Sequence, residues 1–217
     1  MHKSGLLLLL PWVLLSACDS AYYGAWEAVG KHKRDILVDR VEGAMAAQEA
    51  AKEQFQTALE AFTSVVEVKD TPLKRMYESL NEEYEDSKDR AETVSERIDA
   101  VEDVSEALFD EWRGELKEYT SASLRRDSER TLKQTEKRYR VLMRSMRQAE
   151  SRMQPVLNAF HDQVLYLKHN LNAQAVASLK GELGGIESDV SRLIREMEAS
   201  ISRSQEFIQH MESEDVS

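Results

Sequence analysis

Residues 73–119 read LKRMYESLNEEYEDSKDRAETVSERIDAVEDVSEALFDEWRGELKEY, and the spacing within this stretch decides the fold. Apolar or small side chains recur at Leu73, Tyr77, Leu80, Tyr84, Ser87, Ala91, Val94, Ile98, Val101, Ser105, Leu108, Trp112, Leu116 and Tyr119, always three or four residues apart. That period places them on one face of an α-helix, with the charged residues on the other faces. At 1.5 Å per residue such a helix is about 70 Å long. A stripe of that length leaves water only by packing against other helices.

The flanking sequence supplies those helices. Upstream, Leu37, Val41, Ala44, Gln48, Ala51, Phe55, Ala58, Phe62 and Val65 keep the same spacing, and only Gln48 is polar. Asp70 or Thr71 reads as a cap for the next helix, with Pro72 at its first position. Downstream, residues 120–123 break the register, and Ser123 is the expected N-cap. A third run follows at Leu132, Thr135, Tyr139, Leu142, Met146, Ala149, Met153, Val156, Phe160, Val164, Leu167 and Leu171, with Pro155 inside it as an expected kink or split. The fourth comprises Val176, Leu179, Leu183, Ile186, Val190, Leu193, Met197, Ile201, Ser204, Ile208 and Met211, weakened in its first half by Gly181, Gly184 and Gly185. A turn at 170–172 is favoured, which gives four helices; a continuous helix there would give three.

Composition agrees with an all-α protein. Eight glycines and three prolines in 217 residues are too few to turn the chain of a sandwich, barrel or doubly wound sheet. The expectation is therefore a set of long antiparallel coiled-coil helices in an elongated bundle over residues 31–212, with residues 213–217 as a disordered tail. The net charge of −11 argues against a nucleic-acid partner, since neutralising phosphates requires a basic face. Homo-oligomerisation stays open.

The start of the chain carries an address. Lys3, the apolar run from Leu6 to Leu15, and the small residues Ser16 and Ala17 read as an export signal over residues 1–17. The run is too short to anchor the mature chain across a bilayer. Leu15-Ser16-Ala17-Cys18 fits a lipobox, in which the Cys18 thiol takes diacylglycerol and the new amino terminus takes an acyl chain. Cys18 is also the only cysteine. Residues 18–30 then form a lipidated tether, and the membrane is a partner through that anchor. Asp19 resembles an inner-membrane retention signal, so the inner membrane is favoured over the outer, with the body in the periplasm.

The chain carries little recognisable catalytic chemistry. Gly24, Gly30 and Lys31 miss the phosphate-loop spacing by one residue, His32 stands where Ser or Thr belongs, and no strand precedes them. No mature histidine has an acidic residue three positions before it, so the Glu-x-x-His pairs of di-iron bundles are missing. The expectation is no enzyme, no metal and no cofactor beyond the lipid on Cys18.

Two segments depart from a plain coiled coil. Tyr22, Tyr23 and Trp26, followed by Lys31, Lys33 and Arg34, suit a membrane interface, where rings sit at headgroup level and cations meet anionic lipid. Rings capping the bundle end beside exposed cations are an equal alternative. Around residues 164–172, apolar residues exceed one seam, so Tyr166, Leu167, His169 and Leu171 are candidates for a partner-binding tip. Burial among helices at the bundle end is the competing reading.

The segments SAYYGAWE at 20–27, KHKRDILVDRV at 31–41, SLRRDS at 123–128 and QVLYLKHNLNA at 163–173 resemble a family of proteobacterial lipoproteins known only as a domain of unknown function. The resemblance spans essentially the whole mature chain. It implies a helical lipoprotein and assigns no catalytic residue or partner. The resulting expectation is a non-catalytic periplasmic scaffold or adaptor that docks an envelope protein. The alternatives are a membrane-active helical protein that perturbs lipid, or an envelope enzyme.

Overall fold

The computed structural model describes residues 32–67, 72–170 and 173–215. These residues form four helices: α1 Lys33–Glu67, α2 Leu73–Glu115, α3 Ala122–His169 and α4 Ala173–Asp215. Each packs on its neighbours in sequence, and α4 packs back on α1, which closes a four-membered ring. The cross-links fix the directions. Gln54 on α1 donates to Glu83 on α2 at 2.7 Å, while Lys33, further back on α1, pairs with Glu111, further on along α2, at 2.9 Å. Across α2 and α3, Trp112 Nε1 donates to Ser128 Oγ at 2.8 Å and Ser95 Oγ to Glu150 at 2.6 Å. Neighbouring helices are thus antiparallel, as short connections require.

The core follows the apolar period. Every position of the first run from Leu37 to Val65 is buried, including Gln48. So are Leu80, Ala91, Val94, Ile98, Val101 and Leu108 on α2, and the third run except half-buried Tyr139 and Leu171, which lies outside the described residues. Phe160 on α3 stacks on Phe62 at 4.6 Å and lies 6.3 Å from Phe55, joining α1 and α3 across the ring's diagonal. The buried stripe is wider than the seam, because each helix faces two neighbours. Val104 and Phe109, Met143 and Leu157, and Phe207 are buried beside it.

Several boundaries differ from the sequence reading. α2 stops at Glu115 rather than Tyr119, since Lys117 and Glu118 bond three residues back, to Gly114 and Glu115, and tighten the last turn. Ser121, not Ser123, is the N-cap of α3: its hydroxyl accepts from the Leu124 amide at 3.4 Å and its carbonyl from the Arg125 amide at 3.0 Å. Pro72 is the N-cap residue of α2 instead of its first helical residue. α3 runs through Pro155 without a split, and the exposed proline faces solvent. α3 ends at His169 with Asn170 as C-cap, as a turn requires; residues 171–172 lie outside the described residues. α4 continues to Asp215, into the stretch expected as a tail, and Ser213 Oγ bonds the His210 carbonyl at 3.0 Å.

Gly184 and Gly185 are helical and exposed, and a Cβ at either would meet nothing within 4 Å. Replacing a helical glycine by alanine removes backbone freedom from the unfolded chain without a clash. The double variant Gly184→Ala/Gly185→Ala is expected to gain about 1.5–2 kcal/mol in urea denaturation. A loss of stability would show that α4 needs flexibility there.

Candidate docking surfaces

The ring topology sorts the candidate residues to two ends. At the first lie the start of α1, the α2–α3 connection and the end of α4. Lys33 pairs with Glu111, and Arg34 Nη2 donates to the Met211 carbonyl at 2.7 Å. Lys33 and Arg34, two of the three cations expected at a membrane interface, are therefore half-buried ties between helices rather than exposed charges. Cys18, Asp19, Tyr22, Tyr23, Trp26 and Lys31 lie outside the described residues.

At the opposite end, the candidates separate by helical phase. Leu167 is only 1 % exposed and belongs to the core, so it presents no surface to a partner. Tyr166 is 40 % exposed, and its neighbour Leu165, which the sequence reading passed over, is 45 % exposed. His169 is exposed, and Leu171 lies outside the described residues. Val164 and Leu167 continue the seam at a spacing of three, which turns 165 and 166 outward. That phase was available in the sequence and identifies Leu165 directly. The competing reading, burial at the bundle end, holds for Leu167 and fails for Tyr166.

Along the flanks the polar contacts are structural. Arg147 on α3 reaches Asp99 at 2.7 Å and Glu102 on α2, and Glu150 on its own helix at 3.0 Å. Desolvation opposes its charge, but the hydrogen bonds it donates to Glu102, Asp99 and Glu150 outweigh that effect and raise the guanidinium above its ordinary value. Because the cluster holds two helices together, its charge arrangement has a packing role. Between α3 and α4 an open groove of about 370 Å³ is lined by Lys137, Arg138, Val141, Phe207 and His210 among others. Among the described residues no three His, Cys, Asp or Glu side chains gather where they would hold a metal ion. Among the same residues, no helix is long and apolar enough to cross a membrane.

No curated protein and no solved structure matches the chain. A family model described as "Protein of unknown function (DUF2959)" matches residues 22–211, which takes in all but the first residues and the last few. With four antiparallel helices and a match over most of its length, the chain belongs to that family.

Proposed function

We propose that the chain is a non-catalytic, lipid-anchored periplasmic protein, a scaffold or adaptor of the cell envelope. One observation carries the reading: the exposed pair Leu165 and Tyr166 lies at the end of the bundle opposite the start of α1. Lipidation at Cys18, which the Leu15-Ser16-Ala17-Cys18 motif supports, would tether the chain fourteen residues before His32. The long helices then hold the Leu165–Tyr166 surface away from the bilayer, toward an envelope protein. Asp19 favours the inner membrane. The diacylglycerol and acyl chain on Cys18 are the only attached groups in this reading.

Tyr166 tests it. A fully buried aromatic loses about 3–5 kcal/mol on truncation to alanine, whereas a side chain as exposed as Tyr166 loses a small fraction of that. Tyr166→Ala is therefore expected to leave the melting temperature nearly unchanged while removing a cross-linked adduct formed in intact periplasm from a photoreactive residue placed at 165. An adduct that persists in the variant would remove this end from the proposal.

A further inference from the structure

The α2–α3 connection is the second exposed apolar feature, and it lies at the end where α1 begins. Lys33, the first residue of α1, is level with Glu111, and Arg34 is level with Met211 near the end of α4. α2 continues past Glu111 to Glu115 and through the turn at 116–118, and α3 starts only at Ala122. Residues 117–126 thus stand beyond the first turn of α1, on a hairpin closed by the Trp112–Ser128 hydrogen bond and the Arg113–Glu136 ion pair at 2.6 Å. At its tip Leu124 is 57 % exposed and Tyr119 41 %. Lys117, Arg125 and Arg126 are exposed around them. Of the nearby acids, Asp127 pairs with Arg130 at 3.0 Å and Glu129 with Lys133 at 2.6 Å. Glu115 and Glu118 are the other exposed carboxylates of the hairpin among the described residues, and Glu212 is exposed at the neighbouring end of α4.

We infer that this hairpin tip rests on an anionic phospholipid surface, with Leu124 and Tyr119 entering the headgroup layer and Lys117, Arg125 and Arg126 meeting the phosphates. Three observations select a lipid surface as the occupant. An apolar residue and a ring ringed by cations is the chemistry of interfacial insertion. The rest of the chain is strongly acidic, so anionic lipid repels the flanks and attracts the tip, which orients the bundle end-on. The chain before α1 also arrives at this end. An extended tether from Cys18 to His32 spans up to about 50 Å, so the anchor alone leaves the bundle free to stand off the bilayer. The tip removes that freedom. This inference rests on lipidation of Cys18, and its test separates the two.

In the lipidated full chain the Cys18 thiol is blocked, so a cysteine introduced by Ala122→Cys, at an exposed position beside the tip, is the single site for an environment-sensitive dye. Ser151→Cys, exposed in the middle of α3, gives the flank reference. The chain without an added cysteine should take no dye by mass spectrometry. Dye uptake there would show a free Cys18 thiol and overturn the anchor together with this inference. In vesicles of phosphatidylethanolamine and phosphatidylglycerol carrying a headgroup-level quencher, the dye at 122 should be quenched roughly twofold or more beyond the dye at 151. Adding Leu124→Asp and Arg125→Glu, both at exposed positions, should abolish the difference. Equal quenching at 122 and 151, or quenching at 122 that survives both substitutions, overturns the tip contact while leaving the anchor standing.

Discussion

Ile98→Asp is expected to remove about 3–5 kcal/mol of stability, because it buries a carboxylate with no partner. Ile98 is fully buried on α2, on the turn between Ser95, which bonds Glu150, and Asp99, which bonds Arg147. Both of those neighbours lock α2 to α3, so α2 has little freedom to turn a polar group outward. Glu96→Ala, two residues away and exposed, should change stability by less than about 0.5 kcal/mol. The loss should also depend on pH. Burial raises the introduced carboxyl's affinity for a proton in the folded state, so the folded protein binds more protons than the unfolded one above the ordinary carboxylate range. Stability relative to the parent therefore falls as pH rises and recovers toward acid pH. Ile98→Asn carries no titrating group and should show no such trend. Urea denaturation of the three variants at pH 5 and pH 8 provides the measurement. Equal stability of Ile98→Asp and Glu96→Ala would contradict the packing of α2.

The helical core was legible because a period of three and four residues is a direct consequence of one buried face. Leu37 through Val65 keep that period without a fault, and the chain has few glycines or prolines to interrupt it. The second row of buried residues was not legible. Val104, Phe109 and Phe207 sit beside the seam, and only the closure of four helices into a ring decides that a helix faces two neighbours instead of one. Helix ends were harder still. Ser121 and Ser123 lie two residues apart in a stretch rich in capping side chains, and the choice follows from where the Leu124 amide points.

The candidate surfaces divide on the same physical ground. Leu167 and Tyr166 are adjacent in sequence, yet one continues the spacing from Val164 and the other does not, so phase alone separates core from surface. Arg34 is different. Its bond to the Met211 carbonyl joins residues at opposite ends of the chain, and no local pattern in KHKR distinguishes such a tie from an exposed cation. For the same reason the α2–α3 tip gained its significance only from geometry: Leu124 lies in the first turn of α3, just after a polar, serine-rich connection, and its exposure matters because the hairpin projects past the start of α1.

Gln48→Met is expected to raise stability by about 2–4 kcal/mol, the reverse of the usual effect of a core substitution. Gln48 is fully buried in the centre of α1, and neither its amide nitrogen nor its amide oxygen has a hydrogen-bond partner. Counting along the antiparallel helices from the Arg34–Met211 contact brings it level with the turn of α4 that carries Met197 and Ser200. The Ser200 hydroxyl is fully buried and also without a partner. Each buried polar group left unpaired costs about 1–3 kcal/mol, and methionine has nearly the length of glutamine with no group to satisfy. For a protein of this size the gain corresponds to a rise in Tm of several degrees. A buried amide also disfavours displaced pairings of helices, because sliding α1 by a heptad would bring the amide against other apolar layers. Gln48→Met should therefore combine a higher Tm with a broader melting transition or a second species in sedimentation. A higher Tm with a single sharp transition would limit Gln48 to a local energetic defect. A lowered or unchanged Tm would show that water satisfies the amide in solution and that the polar layer carries no penalty.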